Sequence, residues 1–598
     1  VRVFRDLWWF FKRERQSYGW GVFLLFLVAL LELFPPYVVR VVVDESIQGT
    51  LTSGRLWMWM GWLLAAGLAM YGLRFIWRVL IFGASHRLAR LLRRQLYQHY
   101  TRLSPSFYYR RRTGDLMAHA TNDIQAVQVT AGDGVLTFVD SLVLGGLVVF
   151  SMAVFISWKL TLIALLPMPL MAMAVGQYGK LLHKRFLAAQ AAFSDINNKV
   201  QENISGVRVV KAFGREEAEK RSFRKQSDDV VHKNIAVAKV ESLFEPTISL
   251  IAGLSFFLAV AFGSGYVVNQ ELTIGQLTQF TIYLGQLIWP MLAFGFLFNI
   301  MQRGRASYDR IRSLLRVQPD IVDREGALKT IPDGDIRYEI QTFTYPESDQ
   351  PVLREIRATV GKGETLGIVG RTGSGKTTLF KLLLREFEPV DGTVRIGGKP
   401  VTEYRLSALR QTVGYVPQDH FLFSATIAEN IAFGRPQASR EKVEEAAKLA
   451  CVHEDILQLE QGYDTVVGER GVTLSGGQKQ RISIARALLL DPEILLLDDS
   501  LSAVDARTEE RILEALRNHR RNRTTLICAH RLSGIEHADQ ILVLEDGGIA
   551  ERGTHTQLLK QEGWYAWMYR RQQLESLIEQ GGGGNDDSQV APLSSTTP

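Results

Sequence analysis

Three short segments in the second half of the chain carry residue types spaced for phosphate chemistry. Gly370-Arg371-Thr372-Gly373-Ser374-Gly375-Lys376-Thr377-Thr378 follows the strand-like run Glu364–Val369 and precedes an apolar helical stretch. That is the strand, loop and helix context a phosphate-cradling loop requires. Its glycines let backbone amides curl round phosphates, and the helix N-terminus favours negative charge. Lys376 reaches the terminal phosphates, and the Thr377 hydroxyl can ligate Mg2+. The run Ile494–Leu497 ends in Asp498 and Asp499. It reads as a buried parallel strand whose C-terminal edge is where open α/β sheets bind ligands. Asp498 is expected to hold the magnesium shell, and Asp499 stands where a carboxylate orients or deprotonates an attacking water. Leu474-Ser475-Gly476-Gly477-Gln478 opens an amphipathic helix and offers a second helix N-terminus to phosphate, with Ser475 as cap and ligand. One nucleotide does not need two such caps from one chain.

The elements that must position these residues differ between the two halves of the 598-residue chain, which is too long for one ordinary core. After Leu315, short apolar runs alternate with polar helices, the pattern of a mostly parallel sheet covered by helices. Before it, six runs are long and apolar enough to cross about 30 Å of hydrocarbon. They are Trp20–Val43, Leu56–Phe82, Val135–Trp158, Leu160–Gln177, Leu243–Val268 and Ile274–Ile300. The expected fold is therefore an N-terminal all-α transmembrane domain of six helices with long cytoplasmic extensions (1–315). A C-terminal α/β P-loop ATPase domain with a helical subdomain (316–580) and a disordered tail (581–598) complete it. The net charge of +7 sits beside the apolar runs, so it reads as positive-inside topology and excludes nucleic acid as the partner. Two cysteines without close spacing, Cys451 and Cys528, exclude a disulfide framework and a Cys-rich zinc site.

The spacers set the topology. Ala84–Gly134 holds eight Lys/Arg against three acids, whereas Asp44–Gly54 has two acids and no base, so the long spacers, the N-terminus and the ATPase domain face the cytoplasm. Each long spacer is expected to be a helix leaving the bilayer and another returning. The elbows would lie near Gly114-Asp115-Leu116 and near Glu202–Gly206, as docking points for something cytoplasmic. A charge stranded in lipid costs roughly 3 kcal/mol. Arg74 and Arg78 read as anchors near the inner boundary. Glu32, before Pro35-Pro36, calls for either a substrate cavity or a partner base, and Asp140 and Glu245 are ambiguous.

Along roughly residues 1 to 580 the chain resembles the ATP-binding cassette exporters, specifically half-transporters with six spans followed by one ATPase domain. The resemblance implies that Tyr345, in Phe343-Thr344-Tyr345-Pro346, stacks on adenine. It implies that Gln418, in Val416-Pro417-Gln418-Asp419, senses the γ-phosphate and metal, and that His530 contacts the γ-phosphate as a switch. Val467–Gly471 resembles an exporter loop that meets the elbows, and Ser502 to Asp505 resembles the loop linking two ATP sites. In that family two ATPase domains meet head to tail, each nucleotide lying between one chain's P-loop and the other's LSGGQ segment. This chain, with one of each, would be half a machine using ATP and Mg2+.

One departure narrows the expectation. Efficient members place Glu where this chain has Asp499, which withdraws the carboxylate by one methylene, about 1.5 Å. The chain thus resembles the weak-site subunit of bacterial heterodimeric multidrug exporters. It would bind ATP at its own P-loop with slow turnover, and complete a partner's site with Ser475. The expected activity is ATP-driven export of hydrophobic or amphipathic compounds across the cytoplasmic membrane. The alternatives are an active homodimer exporting lipid or peptide, and an ATP-gated regulatory or channel-like subunit.

Overall fold

The computed structural model describes residues 2–346, 348–468 and 474–581. The tail from 582 and Glu469–Gly471 of the expected exporter loop lie outside them. The chain divides into two compact units, Val1–Arg102 with Arg111–Val317, and Leu103–Arg110 with the chain from Gln318 onward.

The first unit is helical. Among the described residues five helices are long and apolar enough to cross a bilayer: Arg15–Ile47, Ser53–Tyr100, Thr113–Leu165, Glu216–Val268 and Ile274–Leu315. The expected fourth span, Leu160–Gln177, is not a separate helix of that kind. Its start closes the Thr113–Leu165 run and its remainder opens Met168–Ser205. Ser157 nevertheless leaves helical geometry inside that run (φ −163°, ψ 120°), and its Oγ accepts from the Leu160 amide at 3.3 Å. Ser53–Tyr100 has 48 residues, about 72 Å at 1.5 Å per residue, which is more than twice what a bilayer core needs. Trp57, Leu64, Leu68, Tyr71 and Phe75 lie exposed along it. An apolar surface of that extent is stable against lipid and not against water. Inside the unit, Leu144, Val148, Met152, Leu160, Phe280 and Leu284 form a buried core.

The first elbow falls earlier than expected. Ser104 turns extended (φ −71°, ψ 153°) and Pro105 opens a short helix, Pro105–Tyr109, while Gly114-Asp115-Leu116 are already inside the next helix, Thr113–Ala118. Pro105 lacks the amide a continuing helix would use and biases Ser104 away from helical geometry, so the helix before it ends at Tyr100. The second elbow follows the expected Glu202–Gly206 segment: Met168–Ser205 ends, a short helix Val207–Ala212 intervenes, and Gly214 at φ +59° reverses the chain. Glu32 receives its partner base, Arg74, in an ion pair between the first two long helices. Arg74 is thus a structural counter-ion and not only a boundary anchor.

The second unit contains two sheets. One is antiparallel and orders β1 (Ile336–Phe343), β2 (Leu353–Val360), β4 (Asp391–Ile396) and β5 (Lys399–Pro400) as β2-β1-β4-β5. The other orders β3 (Thr365–Gly370), β6 (Val413–Val416), β7 (Ile494–Asp498), β8 (Thr524–Cys528), β9 (Gln540–Glu545) and β10 (Gly548–Gly553) as β10-β9-β3-β8-β7-β6. All its pairs are parallel except β10 with β9. The interior strands β7 and β8 are buried at every position, as continuous apolar runs covered on both faces must be. Cys528 of β8 pairs with Ile368 of β3 on one side and Asp498 of β7 on the other. This register brings the ends of β3 and β7 to the same edge of the sheet.

The segment Leu103–Arg110 belongs to this second unit. Ser106 Oγ donates to Asp320 Oδ2 at 2.7 Å, and Tyr109 stacks on Phe387 with ring centroids 6.0 Å apart. Lys381 Nζ lies 4.8 Å from the Tyr109 ring centre.

Candidate nucleotide site

The loop after β3 takes its shape from its glycines. Gly370 has φ +150°, and a Cβ there would run into the Leu544 carbonyl; Gly375 has φ +99°, and its Cβ would meet Leu353. Gly373, at φ +88°, has open space around it. The loop leads into the helix Lys376–Leu383, whose first turn carries Thr377 and Thr378. Lys376 is buried, and its Nζ donates to the Gly370 and Arg371 carbonyls at 2.8 and 3.0 Å. Burial pushes its pKa down, against the pull of Cys528, Asp499 and Asp498. The ammonium is thus held by two carbonyls of the loop whose amides and glycines precede it.

Across the edge, Thr377 Oγ1 donates to Asp498 Oδ1 at 3.0 Å and Tyr415 Oη donates to Asp498 Oδ2 at 3.3 Å. Burial raises the Asp498 pKa while these two hydroxyls oppose the rise. The carboxylate is therefore fixed at both oxygens. A hydroxyl and a carboxylate side by side are the hard oxygen donors that Mg2+ takes when phosphates supply further ligands, so the residues present fit that ion. Among the described residues no cluster of three or more His, Cys, Asp or Glu could hold a metal without such help.

Asp499 sits at φ +49°. Its amide donates to the Cys528 carbonyl at 2.9 Å and its carbonyl accepts from Ser502 Oγ at 3.0 Å. Asp499, Ser502 and His530 line one recess. The His530 carbonyl accepts from Gln572 Nε2 at 2.8 Å. A second depression, lined by Thr359, Glu364, Asp539 and Gln557, holds none of the predicted residues. Tyr345 reaches the P-loop helix through a hydrogen bond of 3.0 Å between its hydroxyl and Thr378 Oγ1, and it meets Phe387 edge to face. Gln418 lies exposed two residues past the end of β6.

Leu474 is buried, and Ser475 caps the 14-residue helix Gly476–Leu489. Ser475 Oγ accepts from the Gln478 amide at 3.2 Å, and Gln478 Oε1 accepts from the Ser475 amide at 3.0 Å. Among the described residues no side chain besides this reciprocal cap bonds the first amides of the helix, those of Gly476 and Gly477 included. Asp505 also caps a helix, Ala506–His519, through the Thr508 amide at 3.0 Å, and that backbone bond lowers its pKa first. The structure thus gathers Lys376, Thr377, Thr378, Asp498, Asp499, Tyr345 and His530 around one edge of the six-stranded sheet. Ser475 stands on a separate helix start. Tyr415 escaped the sequence reading because Val-Gly-Tyr-Val of β6 carries no signature of its own; only the pairing of β6 with β7 brings its hydroxyl to Asp498.

Comparison with known proteins adds to this geometry. Residues 19–291 match the family model of the ABC transporter transmembrane region, and residues 353–502 match the family model described as ABC transporter. The chain is 48% identical over 581 residues to the multidrug resistance-like ATP-binding protein MdlA of Escherichia coli, covering 97% of this chain and 98% of that one. It is 46% identical over 582 residues to a probable multidrug resistance ABC transporter ATP-binding/permease protein, YheI, of Bacillus subtilis, covering 97% and 99%. Its fold is similar to the structure of a bacterial Atm1-family ABC exporter with ATP bound, with a TM-score of 0.77, 28% identity and coverage of 93% and 98%.

Proposed function

The chain belongs to the ABC exporters, as a half-transporter of the multidrug type, and from that premise we propose that it is the weak-site half of a heterodimer. As members of this family do, it works as a transport ATPase in the cytoplasmic membrane, with its ATPase domain in the cytoplasm and its chains assembled as a dimer. Our reading is that its own P-loop grips ATP and turns it over slowly, while its LSGGQ segment completes a faster site on a companion chain. The observation that carries this is Asp499: the residue after Asp498 is one methylene shorter than Glu, and its backbone is tied at both N–H and carbonyl. Such a residue cannot swing forward to recover the missing reach. Productive proton transfer needs about 2.6 to 3.2 Å between heavy atoms.

In this reading Lys376 and the amides of the loop bind the β- and γ-phosphates, Tyr345 stacks on adenine, and Gln418 and His530 sense the γ-phosphate. Asp499 holds the attacking water, imperfectly. Thr377, Gln418 and Asp498 would hold Mg2+, which neutralises phosphate charge when bound. Ser475, with Gly476, Gly477 and Gln478, presents a helix start to the companion's nucleotide, and Ser502 and Asp505 belong to the loop between the two sites. The six-crossing topology also belongs to this proposal. In this reading the break at Ser157, beside Trp158 and Lys159, is where a third span would turn into a fourth. The cargo is a hydrophobic or amphipathic compound, the class that the names of the two multidrug relatives suggest.

The decisive experiment purifies the chain alone and with its companion and asks which protein traps nucleotide after vanadate treatment. Trapping on the companion with mere occupancy here supports the reading. Brisk hydrolysis and transport by this chain alone would refute it. A homodimer is the second reading, favoured by the presence of an uninterrupted P-loop and an uninterrupted LSGGQ in one sequence.

A further inference from the structure

We propose that Gln480 is a positioning residue that ties the LSGGQ helix to the turn bearing Asp499. The loop this chain lends to another nucleotide and the carboxylate at its own P-loop then move as one rigid piece. The inference rests on the composite-site reading above and adds a physical link between the two sites that the motifs alone do not supply.

Asp499 is left-handed at φ +49°, a conformation a residue with a Cβ keeps only where its surroundings over-determine it. Besides the Cys528 carbonyl and the Ser502 hydroxyl, one further group holds it. Gln480 Nε2 donates to the Asp499 carbonyl at 3.4 Å, and Gln480 Oε1 accepts from the Ala503 amide at 3.0 Å. The Gln480 side chain is wholly buried (0% exposed) and spends both ends of its amide on this one turn. A buried amide that lost either partner would have no water to replace it.

A second observation points the same way. A Cβ on Gly477 would come within 3.1 Å of the Ala503 carbonyl, and one on Gly476 would meet the Ala503 side chain at 3.9 Å. The helix start therefore lies directly against the Asp499–Ala503 turn. Any displacement of that helix when a nucleotide docks on Ser475 is passed through Gln480 to the Asp499 backbone.

A double-mutant cycle tests this on the full chain with its companion, reading ATP affinity at this chain's own P-loop by photolabelling with 8-azido-ATP. With Gln480 present, Ser475→Ala is expected to weaken that affinity about tenfold, within the usual range of coupling between sites. In a Gln480→Met background, which keeps volume and removes both hydrogen bonds, the same change is expected to stay within about twofold. A purely structural role for Gln480 would weaken binding in both backgrounds and leave the Ser475 effect intact, which overturns the proposal. If Gln480→Met does not fold, Gln480→Glu keeps the acceptor for Ala503, loses the donor to Asp499 and is expected to halve the Ser475 effect on a logarithmic scale; an undiminished effect overturns the proposal as well. ATP-dependent cross-linking of the two chains in the unmutated transporter separates the two failures. No cross-link overturns the composite-site reading and this link with it, whereas a cross-link with equal Ser475 effects overturns the link alone.

Discussion

Asp499 and Glu differ by a single methylene, and at this turn the backbone offers no slack to make up the difference. Asp499→Glu is therefore expected to raise turnover at this chain's own site by on the order of 100-fold, the scale on which displacements near 1 Å act; phosphate release by the complex in single-turnover conditions reads it. Asp499→Asn should lower the activity of the complex far less than removing the Glu that the companion is expected to carry at the corresponding position, and near-total loss would restore the homodimer. Lys376→Ala removes the cation facing the carbonyls of Gly370 and Arg371 and should cut nucleotide occupancy here at least about tenfold, given charge-assisted bonds worth about 1.5–3 kcal/mol. Tyr415→Phe takes one of the two hydroxyls from Asp498. It is expected to raise the Mn2+ concentration needed for half-occupancy in the presence of ATP by about fivefold, the weight of one hydrogen bond of about 1 kcal/mol, while metal-free ATP binding stays unchanged.

Helices and strands were legible to different degrees. The P-loop strand and the β7 strand could be read because unbroken apolar runs next to Gly370–Thr378 and Asp498 admit little else. The edge they share could not, since it depends on β8 lying between them through the pairing of Cys528 with Ile368 and Asp498. The first elbow was misplaced by about ten residues because helical periodicity resumes at Thr113, whereas the break is made by Pro105, whose ring acts on its neighbour Ser104. Ser157 shows the opposite limit: one extended residue inside an apolar run leaves no trace in composition. Close helix packing was equally hidden. Gly304, on Ile288–Leu315, lies where a Cβ would fall on the Thr130 hydroxyl, and that hydroxyl donates to the Ile300 carbonyl at 3.2 Å. Gly304→Ala should destabilise the membrane unit by about 1–3 kcal/mol, the usual cost of overpacking. Thermal unfolding in detergent would read the loss, with Thr130→Gly restoring part of it.

At the scale of the whole transporter, the composite-site reading has the P-loop and the LSGGQ segment of one ATPase domain serve different nucleotides. Ser475→Ala is expected to abolish turnover at the companion's site, while ATP at this chain's own P-loop is weakened only by the roughly tenfold of the link through Gln480 and stays bound at saturating concentration; unchanged turnover would end the division of labour. The pairing of Glu32 with Arg74 has a bearing on how such a molecule is made. The two residues sit on consecutive helices that pack along each other. Released singly from the translocon, each helix would carry an isolated charge into the bilayer at about 2.5–3.5 kcal/mol. Handed over together, as a hairpin, each neutralises the other. Biogenesis of this chain is therefore expected to begin with a two-helix unit, and replacing Arg74 by Leu to show its damage in the newborn protein, as failed integration, before any pump exists to assay.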